Sequence, residues 1–302
     1  MGTFYSDCTV SATQRTPTFL FPRYLFVFIR FKAVATSPAS RLPISVAIVA
    51  KNEVSNRPRC LASVREWVAQ IVVVLNDTTD GSDAIARKAG AEVHHLPWRG
   101  YRDSKNEAVD LTREPWVLSL DADEEVSPAL RDDITRFLAR PDANTFAGVR
   151  FPRKVWFVDR WITHGDWYPD FSVRLFRRDR ARWGGDSFVH ERVECSGPVA
   201  TLRGDLHHYS FPTLSAHVAK INPFADLFVR QQQERKSTFS LYAAMFRPAW
   251  RFFRAYIMRR GFLDGFPGFY IACATSFGVF VRYSRLYEEE NRTNPRPGDD
   301  AS

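Results

Sequence analysis

The sequence predicts an α/β fold: a doubly wound, mostly parallel sheet followed by a C-terminal helical, membrane-proximal extension. Three observations carry this reading. Short β-branched runs alternate with helix-period segments between Ile44 and Leu138. Three of those runs end in polar, acidic residues. Beyond Gly148 the chain becomes irregular and rich in tryptophan, and from Tyr209 to Arg285 it turns helical, basic and aromatic. Strands alternating with helices over about a hundred residues imply right-handed βαβ crossovers.

The elements follow in order. Ile44–Val49 is almost wholly apolar, as a strand covered on both faces should be. Arg59–Val68 carries Leu61, Val64 and Val68 at helical spacing, and Ile71–Leu75 reads as a second buried strand. Asp80 or Ser82 can cap a short helix that stops at Gly90. Glu92–His95 gives a third strand, Arg102–Thr112 a helix and Trp116–Leu120 a fourth strand. Ser127 and Pro128 supply the N-cap and first position of a helix running through Leu138. The expected divisions are residues 1–42, an aromatic and basic tail; 43–215, the catalytic domain; 216–287, amphipathic helices; and 288–302, a disordered tail.

With 302 residues, 45% of them hydrophobic and 25% charged, the chain can bury a sizeable core. Collagen-like, low-complexity and wholly disordered classes are excluded. Lys+Arg 42 against Asp+Glu 34 leaves a net charge of +8, which points to a polyanionic partner. Cys8, Cys60, Cys195 and Cys273 form no C-x-x-C pair, so they read as free thiols in a reducing compartment. The apolar stretch at residues 18–31 is split by Pro22 and Arg23, and is too short to span a membrane. Ala33-Val34-Ala35 after it fits a signal-peptide cleavage site, and Met1-Gly2 with Ser6 fits a myristoylation pattern. A tail outside the folded domain, touching a membrane, is the favoured reading.

In an open parallel sheet, ligands bind at the carboxyl ends of the strands. Here those ends read Ala50-Lys51-Asn52-Glu53, Asn76-Asp77-Thr78-Thr79-Asp80 and Asp121-Ala122-Asp123-Glu124-Glu125. Asp121 and Asp123, two apart at a strand end, can hold one divalent cation whose shell substrate phosphates complete. The plain alternative is a solvated acidic turn ahead of a helix. No G-x-G-x-x-G follows the first strand and no G-x-x-x-x-G-K-[ST] occurs, so dehydrogenase and P-loop readings are set aside. The doublets His94-His95 and His207-His208 cannot each chelate one metal from a regular strand, because neighbours point to opposite faces. They read as core or surface histidines. Trp156, Trp161, Trp167 and Trp183 could stack on sugars or belong to the core.

Three further groups of residues give the pattern its family character. Ile44–Glu53, Val72–Ser82 with Lys105-Asn106, and Leu118–Glu124 resemble glycosyltransferase family 2. Trp167–Asp170, Arg174–Phe176, Val189–Glu191 and Gly261–Gly265 are similar to its lipopolysaccharide core-biosynthesis branch, which includes β-glucosyltransferases. The resemblance implies a GT-A fold and inverting transfer from a nucleotide sugar, taken here as a UDP-sugar, with Mg²⁺ or Mn²⁺. The acceptor it implies is a lipopolysaccharide core or another lipid-linked glycan. Carried onto these positions, Glu53, Asp80 and Lys105 would help hold the nucleotide. Asp121 and Asp123 would face the ribose and the metal-diphosphate. Many members carry an Asp where this chain has Leu75, so Asn76 or Asp77 takes over contact with the base. The family's catalytic base follows the D-x-D segment, which leaves Glu191 as first choice and Asp170 as second. The alternative for Glu191 is a structural ion pair with Arg174 or Arg192.

Two other functions were weighed. A nucleic-acid-binding protein would suit the charge and aromatics, but no nucleic-acid motif occurs and the acidic crevice opposes it. A sugar-1-phosphate nucleotidyltransferase would want a Gly-rich loop where Ala50–Glu53 stands. Finally, Phe246, Trp250, Phe253 and Ile257 form an apolar helical stripe bordered by Arg247, Arg251 and Arg254. That arrangement predicts a helix lying on the anionic, cytoplasmic face of a membrane, with its arginines reaching lipid phosphates.

Overall fold

The computed structural model describes residues 41–50, 57–78, 81–185, 191–211 and 213–292. Glu53, Asp80, His190, residues 293–302 and residues 1–40 with their targeting patterns lie outside them. The first half runs β1 (Leu42–Ala50), α1 (Arg57–Val64), β2 (Val68–Asn76), α2 (Ser82–Lys88), β3 (Glu92–Leu96), α3 (Tyr101–Asp110), β4 (Trp116–Asp121), β5 (Glu124–Val126) and α4 (Pro128–Leu138). The second half adds β6 (Gly148–Phe157), β7 (Arg160–Trp161), β8 (Asp170–Arg177), β9 (Ala181–Gly184), β10 (Arg192–Cys195), β11 (Val199–Thr201) and β12 (Leu206–Phe211). Four helices follow: α5 (Leu214–Ala219), α6 (Ile221–Glu234), α7 (Leu241–Phe253) and α8 (Gly265–Asn291).

The main sheet is ordered β3-β2-β1-β4-β8-β6-β12-β5. Its first four strands are parallel, and β8 then enters antiparallel between β4 and β6. Strand order reverses at β1, with β2 on one side and β4 on the other, so the crevice opens at the ends of β1 and β4. Both faces are covered. Ile44, Val46, Ile48, Val73 and Leu118 pack on one side, and Ala47, Val72, Val74 and Phe176 on the other. This two-sided burial is why the strands read as continuous apolar runs.

Helix α4 starts as expected, with the Ser127 hydroxyl accepting from the Leu130 amide at 3.1 Å. Helix α2 corrects the expected cap. Ser82 is its first residue, and the cap is Gly81 at φ 75° with no side-chain cap bond. The strands after Gly148 were not legible, because several sit at the margin of the sheet and carry mixed polar and aromatic residues. Helix α8 continues to Asn291, past the Glu288 at which a disordered tail was expected.

The C-terminal helices dock through two buried carboxylates. Asp264, 4% exposed, accepts from the amides of Thr163 at 3.0 Å and His164 at 2.8 Å, so the Gly261–Gly265 motif fastens the helices to the strands. Asp166 has a fully buried side chain and gathers Arg251 at 2.6 Å, Arg254 at 2.8 Å and Arg259 at 3.5 Å. Arg247 meets the Tyr283 hydroxyl. Of the arginine stripe expected to reach lipid phosphates, Arg251 and Arg254 are therefore paired within the domain, while Arg247 stays exposed. The apolar stripe also lies open: Phe246 and Trp250 are 58% and 56% exposed. No helix among the described residues is long and apolar enough to cross a membrane.

Gly204 shows how tightly the sheet end seats on α4. A Cβ there would lie 2.4 Å from the Leu130 Cα, a backbone atom that cannot rotate away. Gly204→Ala should cost about 2–3 kcal/mol, read as a lowered urea midpoint at unchanged slope.

Candidate active site

Four carboxylates and three cations interlock at the switch point. Asp121, the last residue of β4, pairs through Oδ1 with Lys105 Nζ at 3.1 Å and through Oδ2 with Arg174 at 2.7 Å. Arg174, 3% exposed on β8, also reaches Glu124 Oε1 at 2.8 Å. Lys105 extends on to Glu191 Oε2 at 3.4 Å. Asp170 at the start of β8 accepts from Arg153 Nε at 2.9 Å, and Arg153 lies 3.7 Å from Glu124. Lys105, Asp121, Arg153, Arg174, Glu191 and Trp183 line one cavity of about 200 Å³.

Electrostatics polarises this cluster. Burial alone would raise the Asp121 pKa, but the Arg174 and Lys105 charges outweigh it and hold the carboxyl well below the usual range. Burial raises Glu124, and Asp121 adds to that rise against the pull of Arg174. Trp183 forms the floor, with Lys105 Nζ 4.3 Å from its ring centroid. Asn106 pins that wall in place: its amide donates to the Trp183 carbonyl at 2.9 Å and accepts from the Trp183 amide at 3.1 Å.

Several expectations shift. Asn76 is fully buried and donates to the Leu96 and Pro97 carbonyls at 2.9 and 3.2 Å, so it braces the loop after β3 rather than facing a base. Asp77, exposed at φ 46°, remains beside the crevice. Glu191 pairs with Lys105 and not with Arg174 or Arg192; the latter binds Glu194 at 3.4 Å. Both Asp121 oxygens are engaged by cations, whereas Asp123 Oδ2 turns to His208 Nε2 at 3.4 Å.

His208, expected to be a core or surface histidine, is partly buried and faces the D-x-D turn. Strand β12 pairs antiparallel with β5, bringing His208 opposite Glu124, and the Tyr209 amide bonds the Asp123 carbonyl at 3.0 Å. The parity argument itself holds, since His207 faces away and stacks on Trp161 at 4.2 Å. His95 is a surface histidine paired with Asp83 at 2.6 Å. A carboxylate oxygen and an imidazole nitrogen this close are donors that one divalent ion can share. Among the described residues no three His, Cys, Asp or Glu side chains close into a cage. An open site whose shell substrate phosphates complete needs none. Arg153 escaped the sequence reading, and Arg174, Glu124 and His208 were named there without their roles in this cluster, because only the pairing of β8 and β12 brings them to β4 and β5.

The glycosyl transferase family 2 profile matches residues 45–193. The lipopolysaccharide core biosynthesis glycosyltransferase LpsC of Rhizobium meliloti is 30% identical, over 86% of this chain and 98% of its own length. An uncharacterized glycosyltransferase of Rickettsia felis is 30% identical over 81% of this chain and 89% of its own. Among solved structures, Staphylococcus aureus TarS 1–349 in complex with UDP-GlcNAc is 13% identical, covers 82% of this chain and 91% of its own, and superposes at a TM-score of 0.44. That superposition is too loose to carry an argument about the site.

The buried cluster makes a direct prediction. Arg174→Met leaves Asp121 and Glu124 without their shared partner, and should cost roughly 3–5 kcal/mol of stability. Chemical denaturation at neutral pH measures it.

Proposed function

The chain belongs to glycosyltransferase family 2 and is a glycosyltransferase; from that premise we propose an inverting, metal-dependent transfer from a nucleotide sugar, a UDP-sugar, to a lipopolysaccharide-core or other lipid-linked glycan. The observation that supports it most is the single cavity in which Lys105, Asp121 and Glu191 meet at the sheet's switch point. Glu191 is the base. Its carboxylate takes the acceptor hydroxyl proton as that oxygen attacks the anomeric carbon from the face opposite the leaving diphosphate. Lys105, between Glu191 and Asp121, fixes the base relative to the nucleotide side of the site. Asp170, tied to Arg153 at the cavity's edge, is a positioning group. Asp123 with His208 would hold Mg²⁺ or Mn²⁺, which when bound stabilises the departing diphosphate as a Lewis acid. Glu53, Asp77 and Asp80 complete the nucleotide side.

Glu191→Gln should lower kcat at least 100-fold while changing UDP affinity less than about twofold, because a base acts on the acceptor proton. Asp123→Ala and His208→Ala should each weaken Mn²⁺ affinity about tenfold or more while the melting temperature stays near wild type. Full turnover by Glu191→Gln with none by Asp170→Asn would move the base to Asp170.

The same proposal covers where the enzyme works. The catalytic domain, residues 43–215, would sit peripherally on the cytoplasmic face of the inner membrane through the helices of 216–287. Exposed Phe246, Trp250, Phe253 and Ile257 support this, and together with Leu241, Tyr242 and Met245 they leave a broad apolar face in water. With Arg251 and Arg254 neutralised by Asp166, attachment rests mainly on apolar transfer. Trp250→Ser with Phe253→Ser should cut liposome pelleting at least tenfold, while raising salt should change it little. Unchanged pelleting of that double variant would remove the role from α7.

A further inference from the structure

A second cavity lies in the C-terminal half, away from the carboxylate cluster. It measures about 210 Å³ and is walled by Trp167 and Phe211 on one side and by α8 on the other. A water's share of the liquid is ~30 Å³, so the space exceeds several waters. Its polar lining is cationic: Lys220, Arg251 and Arg282, with His217. No carboxylate lines it among the described residues.

The charges there are not balanced from within. Arg251 shares Asp166 with Arg254 and Arg259, so one carboxylate serves three guanidinium groups. Lys220 stands over the Phe211 ring at 4.8 Å. Arg282 has no carboxylate partner among the described residues; burial and the nearby Arg251 charge both lower its pKa, yet a guanidinium stays charged. His217 is held neutral by burial and by Lys220, and its Nδ1 lies 3.2 Å from the Tyr270 hydroxyl. A half-buried cation without a counter-ion, as Arg282 is, costs stability, whereas Lys220 is exposed. The rest of the lining is apolar, and Phe224 at its edge is 44% exposed.

We propose that this cavity binds a phosphate monoester carried on an apolar chain. Arg251, Arg282 and Lys220 receive the phosphate, and Trp167, Phe211 and Ile221 take the first carbons of the chain. A phosphate monoester carries about −1.5 to −2 charges at pH 7, which matches two unpaired cations and a third shared one; a carboxylate would leave charge uncompensated. The site is independent of the transferase reading, because no residue of the carboxylate cluster lines it.

Titration calorimetry on the full chain tests this with three soluble probes: dihexanoyl phosphatidic acid, inorganic phosphate and dihexanoylglycerol. The phosphatidic acid should bind at least tenfold more tightly than inorganic phosphate, and dihexanoylglycerol should not bind measurably. Arg282→Gln and Lys220→Gln should each weaken the phosphatidic acid at least tenfold, with donor hydrolysis and melting temperature unchanged. Removing Arg282 relieves an unpaired charge, so loss of binding there cannot be laid to misfolding when the unliganded melting temperature is retained. Equal affinity of wild type and Arg282→Gln, or no binding of the phosphatidic acid, overturns the site. Inorganic phosphate binding as tightly as the lipid overturns its amphiphilic character. Inactive wild type that still binds phosphatidic acid would sink the proposed function and leave this site standing.

Discussion

The Arg174 guanidinium is the interaction on which the rest of the site depends. It is buried at a position one residue beyond the last pairing of β4 with β8, Leu118 with Leu175. From there it joins Asp121 at the end of β4 to Glu124 at the start of β5. Taking the Arg174 and Glu124 charges out of water costs several kcal/mol each and demands pairing, although Arg174 Nε and Nη1 stay buried without a hydrogen-bond partner among the described residues. The Glu124 carboxylate meets that demand twice, since its second oxygen also accepts from the Asp121 amide at 2.9 Å. The turn between β4 and β5 is thereby closed tightly on itself, and Asp123 is left pointing towards β12.

One consequence is a division of labour between the two aspartates of the D-x-D segment. A carboxylate held by a lysine on one oxygen and an arginine on the other makes a poor additional metal ligand. It makes a good fixed point, because its direction is set from two sides. Asp123 has no such double hold, and its neighbour is a histidine. Identical residues two positions apart are thus paired differently because of the strands around them, not because of anything in their local sequence.

That contrast explains what the sequence could and could not reveal. Strands β1, β2 and β4 were legible because two-sided burial writes itself as unbroken β-branched runs, and Ser127-Pro128 because a cap followed by proline has one local meaning. The strand ends were legible for the same reason, since a ligand-binding crevice must lie where such runs stop. Arg174 and His208 were not, because an arginine in mid-strand and a histidine doublet have many local meanings. Only the entry of β8 beside β4, and of β12 beside β5, selects among them. Asn76 is the opposite case: a polar residue at a strand end resembles a ligand contact, yet its amide nitrogen already binds the Leu96 and Pro97 carbonyls.

The arginines of α7 follow the same logic at the other end of the chain. An amphipathic helix with an arginine border could lie on a membrane with its charges outward, or dock on its own domain with them inward. Asp166 decides between these, because a fully buried carboxylate must be paired and Arg251 and Arg254 are within reach. Their pairing leaves the opposite face of α7 apolar and exposed, so docking on the domain and exposing that face become one event. Asp166 also lies four residues before Asp170, where the strand carrying Arg174 begins. The segment that anchors the helices is therefore continuous with the strand that delivers Arg174 to Asp121.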